Sequence, residues 1–353
     1  MNYKELLDNL IKTIIEEGGS DLHFSAGYNP AIRVHGNLFF LKKINVLSQE
    51  DVLGVMTELL SPEYKERFLR EKEIDFSYGT DKARFRGNCF FSQGTIGISL
   101  RLIAKKIKTL QELNLPQILE TFTQKEQGFF LVVGPVGNGK TTTLATMLEI
   151  INQNRSGHIV TIEDPIEYVF EKGQSIIDQR EVELDTKDFA SALKSVFRQD
   201  ADVLMIGEMR GLETIATSVT AAETGHLVFS TLHTNDAAQT IDRIIDVFPA
   251  GQQSQIRMQL AGSLLGIFSQ RLVPRISGGV IPAYELLIKN TAVANLIREA
   301  RTYEIPNVIG TGTREGMVSL DKSLSDLVRA GEITIENARR YSLQTESLER
   351  LLG

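Results

Sequence analysis

The sequence predicts an α/β chain: a small α+β unit, then a mostly parallel sheet with helices on both faces. From Gly128 onward, residues 129–133, 158–162, 203–206 and 227–230 form short, almost unbroken apolar runs, as strands buried on both faces do. Helical patterns separate these runs, and strand–helix alternation is how a parallel sheet becomes covered on both sides. Before Gly128 the strand patterns are closer together, and a length of 353 residues suggests two domains.

In the N-terminal part, Leu6, Leu7, Leu10, Ile11, Ile14 and Ile15 recur at helical spacing, and the helix closes at Gly18-Gly19. Strand patterns follow at 22–24, 31–34 and 38–41, the last two parted by Gly36-Asn37. Ser48 with Asp51 reads as a helix cap, and Ser61-Pro62 starts another helix with proline at its first position. Residues 73–78, 84–91 and 96–103 read as three more strands. The charged, weakly apolar stretch from Lys105 to Pro116 reads as a linker. The expected domains are therefore 1–104 and 117–353, with 105–116 between them. Beyond about Pro249 the pattern is nearly all helical, with Leu260, Leu264, Leu265 and Phe268 marking one apolar face.

Composition narrows the function classes. Lys plus Arg total 38 against 45 Asp plus Glu, a net charge of -7. Such a chain is a poor non-specific binder of nucleic acid, which needs clustered cations. One cysteine, Cys89, excludes an intramolecular disulfide and a zinc site built on several thiolates. The N-terminus lacks the apolar region of a signal peptide, and no stretch approaches the ~18 apolar residues of a membrane span. A soluble cytoplasmic protein without direct membrane insertion is expected, held at a membrane only through partners.

The segment Gly134-Pro135-Val136-Gly137-Asn138-Gly139-Lys140-Thr141 fits G-x-x-x-x-G-K-[ST]. Its glycines let the backbone turn amides inward around phosphates. Lys140 is expected to reach the β- and γ-phosphates and Thr141 to hold Mg²⁺, with Thr142 beside it at the start of a helix whose positive end faces the anion. A chance glycine-rich turn is the competing reading. The apolar strand before the loop and the helix after it favour phosphate binding.

Acidic positions accompany the loop. Val203-Leu204-Met205-Ile206-Gly207-Glu208 is an apolar strand ending in a carboxylate, where a metal-orienting acid stands in such folds. Glu replaces the usual Asp, and it is expected to act through the metal's waters. A second apolar strand runs into Glu163, Asp164 and Glu167; these acids either polarise the attacking water and position the metal, or form a solvated Asp-Pro turn. His226 and His233 bracket one strand on opposite faces. They read as structural histidines or as sensors of the γ-phosphate.

Three boxes carry a resemblance. Val160-Thr161-Ile162-Glu163-Asp164-Pro165-Ile166-Glu167 looks like the Asp box of secretion ATPases, and Ile206-Gly207-Glu208-Met209-Arg210 like their atypical Walker B. Thr224-Gly225-His226-Leu227-Val228-Phe229-Ser230-Thr231-Leu232-His233-Thr234 looks like their His box. With the phosphate loop, these resemble the type IV pilus retraction ATPases, the PilT family, from Ser20-Asp21-Leu22-His23 to Asn295-Leu296-Ile297-Arg298-Glu299.

The resemblance implies a PAS-like N-terminal domain, a RecA-like P-loop ATPase domain and a ring hexamer using ATP and Mg²⁺. It implies Glu167 as general base, Glu208 holding Mg²⁺ through water, and Glu163, His226 and His233 around the nucleotide. Arg84, Arg86 and Arg101 match N-domain arginines that reach the nucleotide in such rings. An inner-membrane platform protein of the pilus is the implied partner. The chain departs from the family at Asn138, usually Ser, at Gly211, usually Asp, and at Ala294, usually Arg; the hairpin Ser92-Gln93-Gly94-Thr95 lacks a common arginine. Beside the retraction motor stand an assembly ATPase of pili or type II secretion, a nucleic-acid translocase and a regulatory paralogue. A single cysteine, a short N-domain and net acidity weigh against the first two.

Overall fold

The computed structural model describes every residue except Met1, His35, Lys82, Ala104 and Lys105. Two units result: Met1–Lys106 with Pro165–Val169, and Ile107–Asp164 with Phe170–Gly353. The boundary expected at 104/105 lies outside the described residues.

In the first unit, β1 (Asp21–Ser25), β2 (Ala31–Val34), β3 (Asn37–Phe40), β4 (Glu73–Gly79), β5 (Arg84–Ser92) and β6 (Thr95–Ile103) form one sheet in the order β3-β2-β1-β6-β5-β4. Every pairing is antiparallel. Such a sheet covers one face and leaves the other wet. Helix Tyr3–Glu16 buries Leu7, Leu10, Ile11 and Ile14 against the covered face. Helix Gln49–Leu59 starts on a capping box between Ser48 and Asp51, and Pro62–Glu71 has proline in its first turn.

Strand β5 shows the alternation most clearly. Phe85, Gly87 and Cys89 are buried, whereas Arg84, Arg86 and Asn88 are half-exposed on the opposite face. A Cβ on Gly87 would meet the Phe76 ring at 2.3 Å, so any other residue there would displace that buried ring. Burial also pushes the Cys89 thiol up to about 12, which leaves it un-ionised at neutral pH. Gln93 and Gly94 both take positive φ (50° and 77°) in the two-residue turn between β5 and β6.

In the second unit, β7 (Gly128–Val133), β8 (His158–Glu163), β9 (Ile176–Glu181), β10 (Val203–Ile206), β11 (Leu227–Leu232), β12 (Leu264–Pro274) and β13 (Val280–Ile288) form a sheet in the order β13-β12-β7-β11-β10-β8-β9. All neighbours run parallel except β12 and β13. Alternate residues of β7 serve the two faces. Phe129, Leu131 and Val133 join one core cluster with Ile215, Val219 and Ile241. Phe130 and Val132 join another with Leu144, Leu148 and Ile151 of helix Lys140–Asn154.

Two expectations differ from the structure. Leu264, Leu265 and Phe268 lie in β12, not on a helix face; only Leu260 belongs to helix Ala250–Ser263. A strand flanked on both sides reads as a continuous apolar run, which periodicity cannot separate from a buried helix. The C-terminal part is thus a β12–β13 hairpin followed by helices. The stretch expected as linker also belongs, from Ile107, to the second unit, where Leu110 and Leu115 are buried. Two leucines in a charged stretch give no readable period.

Candidate nucleotide site

The site begins where β7 ends. Gly134, Gly137 and Gly139 take φ of 141°, 78° and 77°, a region open to glycine and the backbone freedom that a loop needs to turn its amides around an anion. Lys140 opens helix Lys140–Asn154 and is buried. Its Nζ donates to the carbonyls of Gly134 at 2.9 Å and Pro135 at 3.0 Å, and faces Nδ1 of His233 at 3.3 Å. Thr141 and Thr142 follow in the first turn, half-buried. Positive helix end and ammonium converge on one small volume, which suits an anion.

Strand β10 delivers Glu208 to the same end of the sheet. Its carboxylate pairs with Arg210 at 2.8 Å and with Nε2 of His233 at 3.4 Å. Burial pushes this carboxyl up, but the Arg210 hydrogen bond and the charges of Arg210 and Lys140 outweigh it and hold it below the usual range. Burial and the Lys140 charge lower His233, so its imidazole is neutral at neutral pH. An ammonium can only donate, so Nδ1 accepts from Lys140 and the ring proton sits on Nε2, facing Glu208. His233 therefore links the loop lysine to the strand-end acid.

His226 does not join them. It precedes β11 and His233 follows it, so the two stand at opposite ends of a strand roughly 20 Å long. Nδ1 of His226 lies 3.1 Å from the Ala221 carbonyl, and its ring packs edge-on against Phe197. Within one chain only His233 shares the loop's end of the sheet.

The Asp box is divided between the units. Glu163 ends β8, buried, and accepts from Thr161 Oγ1 at 2.7 Å and Gln179 Nε2 at 3.1 Å. A Cβ on Gly207 would lie 3.5 Å from the Glu163 Cα, so the ends of β8 and β10 are adjacent. Glu167 belongs to the first unit, where Arg86 pairs with it at 3.6 Å. In that unit Arg86 stands opposite Arg101 in the β5–β6 register. Arg84 shares their face.

Sequence reasoning gave no role to Asp21. It is buried on β1, takes the Arg101 Nε at 2.9 Å, and lies 4.0 Å from that of Arg33. The Ser20 hydroxyl and Arg101 hold its carboxyl below the usual range against the opposing pull of burial. A carboxylate at the first position of a short strand, where Asp is disfavoured, is the signal that marks it.

Residues 2–338 match the Type II/IV secretion system protein family. The type IV pilus retraction ATPase PilT of Pseudomonas aeruginosa is 43% identical over 336 residues, covering 94% of this chain and 97% of that one. The chain belongs to the PilT family of secretion ATPases. A twitching motility protein of Neisseria gonorrhoeae is 44% identical over 323 residues, covering 90% of this chain and 86% of its own. The crystal structure of the pilus retraction motor PilT with bound ADP superimposes with a TM-score of 0.91 at 44% identity, covering 97% of this chain and 98% of that one. The two-domain, RecA-like ATPase fold of the PilT family is thereby shown.

The departures from the PilT pattern acquire places. Gly211 is the N-cap of helix Leu212–Glu223 and offers no side-chain cap, so the family's Asp would stand where an N-cap acid stabilises a helix. Ala294 is buried on helix Thr291–Arg298, and the one basic residue of that helix, Arg298, is exposed. No helix among the described residues is long and apolar enough to cross a membrane.

Proposed function

We propose that the chain is the ATP-hydrolysing motor that withdraws pilin subunits from the base of a type IV pilus. It works as a cytoplasmic homohexamer, held at the inner face of the membrane by the pilus platform protein. The observation that carries this reading is the likeness to pilus retraction ATPases along nearly the whole chain, both units included.

The loop from Gly134 to Thr141 cradles the phosphates of ATP. Its three positive-φ glycines and buried, inward-turned ammonium fit that anion. Thr141 and, through water, Glu208 would hold Mg²⁺, which would supply charge neutralisation at the phosphates. Glu167 takes the proton of the water that attacks the γ-phosphorus in line, and ADP leaves as its β–γ bridging bond breaks. Glu163 stands by as the second acid of that box. Lys140 turns from the loop carbonyls to the phosphates, which releases His233 and signals occupancy to Glu208. Arg84, Arg86 and Arg101 complete the site from a neighbouring subunit.

Hydrolysis therefore depends on assembly. Phosphate release measured across size-separated fractions is expected to follow the hexamer, with monomer fractions at least about ten-fold less active per chain, the loss of one charge-assisted contact. Monomers as active as the assembled protein contradict it.

A further inference from the structure

Strand β12 outruns its parallel partner. The β7–β12 ladder ends at the pair Val133 and Ser269, because β7 turns away into the phosphate loop at Gly134. Beyond that point the loop itself closes the side of β12. The Leu272 N–H donates to Asn138 Oδ1 at 2.7 Å, as a strand partner's carbonyl would accept it. Gln270, only 2% exposed, uses both ends of its carboxamide. Its Oε1 accepts from Thr143 Oγ1 at 2.7 Å in the helix after the loop, and its Nε2 donates to the backbone carbonyl of Asn138.

In a trans peptide unit the C=O and N–H point in opposite directions. With the Asn138 carbonyl turned toward Gln270, the next N–H, that of Gly139, must point away from it. Gly139 at φ 77° has the freedom to let this peptide flip. A flip would replace a donor by a carbonyl lone pair facing the phosphates. One buried side chain, anchored at its other end by Thr143, selects between the two orientations.

We infer that Gln270 is a positioning residue for the nucleotide, aiming the Gly139 N–H into the phosphate cradle through the Asn138 carbonyl. The family's usual Ser is replaced at that point by Asn138, which adds its own Oδ1 bond to β12. The inference rests on the reading that the loop holds the nucleotide's phosphates. It concerns contacts present in ADP and ATP alike, so it predicts equal loss of affinity for both and little change in turnover at saturation.

The test is calorimetric titration of purified, full-length Gln270→Met, which keeps the volume and removes both hydrogen-bonding ends, with Mg·ADP and a non-hydrolysable ATP analogue. The expected result is a rise of about ten-fold or more in both dissociation constants, with binding stoichiometry unchanged and kcat within about three-fold of the parent. A merely structural role would lower the stoichiometry of active protein instead. Thr143→Val, which frees only one end of the carboxamide, is expected to shift both constants the same way by a smaller factor. Affinities within about two-fold of the parent in Gln270→Met, or in Thr143→Val should the first variant not fold, overturn the inference. Lys140→Ala separates the two levels. If it binds ADP like the parent, the loop reading itself fails; if it loses ADP while Gln270→Met keeps it, only this inference fails.

Discussion

Lys140→Ala is expected to weaken ADP binding by about 100-fold or more and to leave no measurable hydrolysis. The ammonium is buried and already desolvated, bonded to two loop carbonyls and His233. Exchanging those carbonyls for phosphate oxygens replaces neutral acceptors by charged ones, and hydrogen bonds between charged groups contribute about 1.5–3 kcal/mol each. Losing two such bonds accounts for the expected factor. The substitution has a second consequence, because His233 loses the donor facing its Nδ1 and the link from the loop to Glu208 is cut. Calorimetry with ADP and phosphate-release assays measure both parts. An affinity within a few-fold of the parent, on the scale of one neutral hydrogen bond, contradicts the placement of the phosphates at this loop.

The second large effect concerns Glu167. Glu167→Gln is expected to bind Mg·ATP as the parent does and to lose turnover by at least about 100-fold, since an amide cannot take the water's proton. Arg86 pairs with it at 3.6 Å in the parent, and a neutral amide weakens that half-exposed pair, which carries little weight for stability. Melting temperature and nucleotide affinity should therefore stay near those of the parent while the hydrolysis rate collapses. Undiminished steady-state hydrolysis would refute the assignment and transfer the role to Glu163, the buried acid at the end of β8.

What the sequence made legible follows from where its signals lie. Strands β7, β8, β10 and β11 are short, buried over all or nearly all of their length and set between polar turns, so each announces itself. The phosphate loop is read from adjacent residues whose chemistry needs that spacing. Strand β12 escaped because its apolar half follows directly on helix Ala250–Ser263, whose last residues, Gly262-Ser263, interrupt the apolar pattern too briefly to separate the two elements. Gln270 escaped because its partner Asn138 stands 132 residues away, and no local pattern marks a side chain that acts on a distant backbone carbonyl. The separation of His226 from His233 was implicit in a strand of six residues between them, and the structure shows that only one can face the loop.

The central claim is the direction of the work: ATP hydrolysis here takes a filament apart. Deleting the gene in its own organism, and counting surface pili beside twitching motility, tests it most directly. Retraction predicts excess surface pili with motility lost, and restoration of both by the parent gene but not by the Lys140→Ala variant. Loss of surface pili in the deletion strain contradicts it and assigns the chain to assembly.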